Sequence, residues 1–332
     1  MCLEGMKYRI GYFDLAKGFA IFSVVLAHLN TFLDWNNPLL SYIIHSYFMS
    51  LFFFISGYFC YREVPFLQFS FLKGKIKQLV IPYLTTCLLV CFFYSLLFQT
   101  NLLDRYLLDS SKGGYWFLLT LFTYYCSYLC VNRIVQLFKK EIQKKSIFVI
   151  LIILLGVGIV FVTSSVSVQI SYLLSLPELR RFFLSFSFGL IVSCFASHFN
   201  VWNNKITILS GILYFSIMLM NYDDKTCIGF VLWLAVSNLA CLFIINIFRL
   251  LGNNVSRLRT YGNNSLGIYL YHYIFVYFLK YFLPSSWFYG TSTWDIILIF
   301  LLFFILSIIV LELSLLLIRL TNKLKLNFLI GS

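Results

Sequence analysis

Ten stretches of this chain stay apolar for about 20 residues at a time, the length needed to cross the hydrocarbon of a bilayer. They are 11–33, 39–60, 78–98, 115–138, 147–164, 181–198, 206–221, 227–251, 264–283 and 295–318. The seventh is short, and the fourth is interrupted by Asn132 and Arg133. Only 11% of the 332 residues are charged and 61% are hydrophobic, whereas an ordinary soluble domain carries about 25% charged residues. The spacing therefore predicts an all-α fold, a polytopic transmembrane bundle of about ten helices. No linker divides the chain, so residues 1–332 read as a single integral membrane domain. Residues 164–179, between the fifth and sixth stretches, are expected to form an amphipathic or re-entrant piece. The opening residues are basic, but no small-residue cleavage site follows the first apolar run, which reads as a retained helix.

A net charge of +13 would suit a nucleic-acid binder, but in a membrane protein it marks cytoplasmic loops. With the N-terminus placed in the cytoplasm, 18 of the 25 Lys and Arg fall in inside segments and 5 in outside segments. Lys17 and Lys280 lie within helices. The imbalance predicts an even number of spans, with both termini cytoplasmic. The nine cysteines show neither metal-ligand spacing nor a disulfide framework, and read as buried small thiols.

Ionisable residues inside apolar spans are the candidates for chemistry, because burying them in a bilayer is unfavourable without a partner or a task. Asp14, Lys17 and His28 share the first helix. Asp14 and His28 are fourteen residues apart, so they lie on one face about 21 Å apart along the axis. Asp14 and Lys17 have the spacing of a helix-face ion pair. Imidazole titrates near neutrality, which suits His28 for general-base work. His272 sits in the ninth span between Tyr269, Tyr271 and further aromatic residues, and suggests a polar chamber. His45 is expected at a depth similar to that of His28. Lys73, Lys75 and Lys77 precede Pro82-Tyr83; they fit either a positive-inside loop or a flexible clamp for phosphate. Tyr115 and Trp116 open the fourth span as an aromatic interface belt or as a platform for a sugar ring.

Taken in order, these segments resemble the acyltransferase 3 family of integral membrane O-acyltransferases, most closely its fucose 4-O-acetylase-like branch. The opening R-x-x-x-x-D-x-x-K-G-x-A-I-x-x-V-V-x-x-H is similar to the family's first-helix signature, through Arg9, Asp14, Lys17, Gly18 and His28. The run from Met49 to Tyr58, the lysines before Val80-Ile-Pro-Tyr83, Tyr115-Trp-Phe-Leu, and Ser265-Leu-Gly-Ile-Tyr-Leu-Tyr-His272 resemble four further family segments. Two departures stand out. Phe48-Met49-Ser50 replaces the His-Met-Pro of many relatives, with His45 one turn earlier, and lysines replace arginines in the basic loop.

The resemblance implies transfer of an acyl group, acetyl by preference, from cytoplasmic acyl-CoA to a sugar hydroxyl of a cell-surface or exported glycan. It implies a multi-pass protein of the cell membrane with acyl-CoA and a glycan or lipid-linked sugar as partners, and no nucleic acid, metal or bound cofactor. His28 would be the catalytic base, with His272 or nearby tyrosines as donor or orienter. Arg9, Asp14, Lys17, Lys73, Lys75 and Lys77 would lie on the CoA side, and His45, Tyr115, Trp116, Tyr269 and Tyr271 on the acceptor side. A transporter or flippase using the same polar residues as a path is the alternative.

Overall fold

Every residue assigned a regular element is helical in the computed structural model, which describes residues 10–62, 68–101, 109, 111–252, 255–288 and 292–331. Arg9 lies outside the described residues. The helices are α1 (Gly11–Phe32), α2 (Pro38–His45), α3 (Phe48–Cys60), α4 (Gln68–Lys75), α5 (Leu88–Phe98), α6 (Trp116–Val135) and α7 (Glu141–Ser165). They are followed by α8 (Val168–Leu173), α9 (Leu176–Cys194), α10 (Asn204–Met218), α11 (Cys227–Leu251), α12 (Ser256–Asn263), α13 (Ser265–Phe282) and α14 (Thr293–Lys323).

The ten apolar stretches fall on helical segments, the second divided between α2 and α3 at Ser46-Tyr47, and seven helical segments are long and apolar enough to cross a membrane. These seven are Gly11–Phe32, Pro38–Cys60, Gln68–Phe98, Trp116–Val135, Glu141–Ser165, Cys227–Leu251 and Thr293–Lys323. The other three stretches correspond to α9, α10 and α13. Of these, α9 carries Glu178, Arg180 and Arg181 in its first turns, and α10 has only 15 residues. Between the fifth and sixth stretches, α7 ends at Ser165 and the short α8 occupies Val168–Leu173, so this piece folds as a separate helical turn. The long helices are apolar on their exposed sides. In α7 only Phe148 and Ile152 are buried, while Ile153, Leu154, Val157, Val160 and Phe161 are exposed, as expected of a lipid-facing helix.

The helices group into two compact units, one drawing on Met1–Ala27, Pro38–Tyr61 and Ser185–Ser265, the other on His28–Asn37, Arg62–Leu184 and Leu266–Ser332. In the first unit, close helix crossings are made by glycines facing backbone in both directions. A Cβ on Gly57 of α3 would lie 2.1 Å from the Phe186 carbonyl oxygen of α9, and one on Gly189 of α9 would lie 2.0 Å from the Phe54 carbonyl oxygen of α3. The same reciprocity joins α1 to α12: Gly18 abuts the Leu258 carbonyl, and Gly262 abuts the Asp14 carbonyl. Small residues let membrane helices approach to backbone contact, which supplies packing that lipid does not. Around these crossings Phe13, Tyr58, Phe59 and Trp202 form an aromatic cluster, with Phe13 centred 4.8 Å from Tyr58 and 5.3 Å from Trp202.

In the second unit, the helix Gln68–Phe98 passes through two π-helical stretches, Ile76–Val80 and Tyr83–Cys87, on either side of Pro82. Proline has no N–H, so it gives nothing to the Gln78 carbonyl four residues back, and wider turns absorb the interruption. A turn near the end of the chain, Asn327–Ile330, covers this place. Thr86 donates its hydroxyl to the Leu329 carbonyl at 2.6 Å, and Gly331, at φ +70°, packs directly on the Gln78 carbonyl.

Candidate functional site

The site forms in the second unit, where the C-terminal turns of α1, the middle of α13 and the turn before α6 meet. His28 and Phe32 are one helical turn apart on α1, and Tyr269, Tyr273 and Tyr277 recur every four residues on α13, so each set lies along one face. The Tyr273 hydroxyl lies 2.9 Å from His28 Nε2 and 3.4 Å from its Nδ1. His272 stacks its ring 5.3 Å from that of His28, and Phe32 closes the cluster against Tyr273 and Tyr277.

The two histidines differ in what their nitrogens meet. His272 is fully buried, and its Nδ1 lies 3.1 Å from the Ile268 carbonyl. A carbonyl only accepts, so this nitrogen carries the proton and neutral His272 presents Nε2 as an acceptor. That Nε2 is buried and has no hydrogen-bond partner among the described residues. Buried polar atoms are nearly always paired, so this nitrogen is an unsatisfied acceptor held beside the His28 ring. His28 is only partly buried, and its ring nitrogens meet a hydroxyl that both donates and accepts.

The turn Lys112–Gly114 forms the third wall. Lys112, Gly113 and Gly114 all have positive φ (50°, 62° and 97°), a conformation in which glycine is favoured at the second and third positions. Tyr269 donates to the Gly114 carbonyl at 2.5 Å, and the Tyr277 hydroxyl approaches the Gly113 carbonyl at 3.5 Å. In return, Tyr115 donates to the Leu270 carbonyl of α13 at 2.8 Å. Lys112 is fully buried, with Nζ on the Tyr172 carbonyl at 2.6 Å. Burial holds its ammonium below the usual 10.5, partly offset by the carboxylates of Asp109 and Glu178.

The structure brings together His28, His272, Tyr115 and Tyr269 from the residues singled out in the sequence. Tyr271 points elsewhere, pairing with Thr321 of α14 at 2.9 Å. Trp116 stacks on Phe182 at 5.2 Å. His45 is in the first unit, exposed at the end of α2, with Nδ1 2.7 Å from the Ser41 carbonyl and its ring on Phe48. Asp14 and Lys17, also in the first unit, make the expected ion pair at 2.7 Å. The lysines expected in a loop are helical instead, Lys73 and Lys75 in α4 and Lys77 in the π-helical stretch that continues it, because the helix already starts at Gln68; Lys73 and Lys77 are exposed. Lys75 lies over the Tyr125 ring at 4.3 Å and donates to Gln78 Oε1 at 2.9 Å. Sequence reasoning passed over Tyr273, Lys112, Gly113 and Gly114. The four-residue spacing of Tyr269, Tyr273 and Tyr277 was the available signal for the first of these.

An all-helical chain with several membrane-length apolar helices and a histidine–tyrosine cluster at a helix end is a multi-pass membrane protein with a built polar site. The acyltransferase domain of the acyltransferase 3 family matches residues 10–312, nearly the whole chain, and the protein belongs to that family of membrane acyltransferases. No curated protein and no solved structure matches the chain.

Proposed function

We propose that the protein transfers an acyl group, acetyl by preference, from cytoplasmic acyl-CoA to a sugar hydroxyl of a cell-surface or exported glycan, as a member of the fucose 4-O-acetylase-like branch. The observation that carries this reading is His28 bonded to Tyr273 beside the unpartnered Nε2 of buried His272. His28 takes the proton of the acceptor hydroxyl as its oxygen attacks the thioester carbonyl. The tetrahedral intermediate collapses with cleavage of the C–S bond, and the departing CoA sulfur takes the proton from the His28 imidazolium. The acyl ester and free CoA are the products.

In this reading ten helices span the cell membrane, both termini are cytoplasmic, and CoA phosphates bind near Lys73 and Lys77. Asp14 and Lys17 organise the donor end of α1. Family membership favours the acyltransferase over a transporter using the same residues. The test is purified protein with radiolabelled acetyl-CoA and deacylated surface glycan from the host cell. Acceptor-dependent release of CoA is expected; no release, with glycan movement across vesicles, would support the transporter.

A further inference from the structure

We infer that Tyr273 is the positioning residue of His28, and that the left-handed Gly113-Gly114 turn makes the slot that holds it there. The inference rests on the reading of His28 as the base.

Tyr273 is 1% exposed, and its hydroxyl is confined from two sides. On one side is the His28 ring, centred 4.7 Å from the tyrosine ring. On the other is the backbone of Gly114, where a Cβ would stand 1.8 Å from the Tyr273 hydroxyl oxygen and 2.2 Å from its Cζ. Any side chain at 114 would displace the hydroxyl, and φ +97° there disfavours side chains independently. The slot is itself fixed. The Tyr269 hydroxyl holds the Gly114 carbonyl, and the Tyr115 hydroxyl holds the Leu270 carbonyl, so the turn and α13 are tied in both directions around Tyr273.

An imidazole base works when one nitrogen keeps its lone pair towards the substrate and a third group holds the other. Tyr273 is that third group. With the proton on Nε2 donated to the tyrosine oxygen at 2.9 Å, Nδ1, 3.4 Å from the same oxygen, keeps the lone pair. The same Nε2–H to oxygen bond persists when Nδ1 takes the acceptor's proton, so the ring keeps its aim through the step. Tyr273 touches neither donor nor acceptor in this scheme. Its contribution is to the turnover step and not to the binding of acyl-CoA.

The test compares wild type, Tyr273→Phe, Gly114→Ala and His28→Ala in membranes at matched protein levels, with radiolabelled acetyl-CoA and deacylated host glycan. Tyr273→Phe keeps the ring and removes the hydroxyl. It is expected to lower kcat about tenfold or more, within the 10²–10⁴-fold that general-base catalysis contributes as a whole, and to leave KM for acetyl-CoA unchanged. Gly114→Ala, which keeps the His28 and Tyr273 side chains but displaces the hydroxyl, is expected to give the same split. It becomes the deciding variant if Tyr273→Phe does not accumulate. Wild-type kcat in either variant, with His28→Ala inactive, would overturn the positioning role and leave the base intact. Wild-type kcat in His28→Ala would overturn the reading of the site itself.

Discussion

At His28 the immediate surroundings are a tyrosine hydroxyl, 2.9 Å from Nε2, and a second imidazole stacked at 5.3 Å, a setting that supports the proposed role of base. The same scale separates Lys73, Lys75 and Lys77. Lys75 is committed to the Tyr125 face and Gln78, whereas Lys73 and Lys77 are exposed. Replacing Lys73 and Lys77 together by Ala is therefore expected to raise KM for acyl-CoA by several-fold at unchanged kcat. An unchanged KM would return them to orientation signals alone. Lys112 makes a different prediction. Because burial holds its ammonium below 10.5, the folded protein loses this proton before the unfolded chain does. The unfolded state then binds more protons, so stability rises with pH through the window that ends near 10.5. Thermal unfolding in detergent should show that rise in wild type and a smaller one in Lys112→Met; parallel curves would contradict it. His28 and the lysines were legible in the sequence, but Lys112 and Tyr273 were not: Lys112 reads there as one of five outside Lys and Arg, and Tyr273 as one of 23 tyrosines.

Between elements, glycines decide where helices touch. The contact of Gly189 with the Phe54 carbonyl is backbone against backbone, so no rotamer change relieves an added methyl. Gly189→Ala is expected to destabilise the protein by about 1–3 kcal/mol, the usual range for overpacking. At Gly158 in α7 an added methyl would meet nothing within 4 Å, and Gly158→Ala should be neutral or stabilising by up to about 1 kcal/mol through helix propensity. Unfolding midpoints of the two variants in one detergent measure the contrast; equal midpoints would contradict the packing account. Element positions were largely legible, because a run of apolar residues of membrane length is itself the signal, and all ten stretches fall on helical segments. The asparagine and arginine inside the fourth stretch did not break α6, which runs through Asn132 and Arg133 to Val135. The π-helical turns around Pro82 were not legible. The Gln78 carbonyl that the proline leaves without its usual donor is packed by Gly331, from the far end of the chain.

For the whole molecule, composition identified a membrane protein and ordered motifs identified a family, whose domain matches residues 10–312. What joins those motifs into a site is not in their order. His28 and Tyr273 are 245 residues apart, and only the packing of α13 and the Lys112–Gly114 turn brings them within 2.9 Å. The line of ionisable residues along α1 also changes meaning. Its Asp14–Lys17 end is a local ion pair, whereas its His28 end joins the histidine–tyrosine cluster to which we assign the chemistry. The most direct test of that assignment is mass spectrometry of the surface glycan from cells in which His28→Ala replaces the wild-type protein at an equal membrane level. Loss of a mass equal to one acyl group per modified unit is the expected result. Acylation at the wild-type level would contradict it.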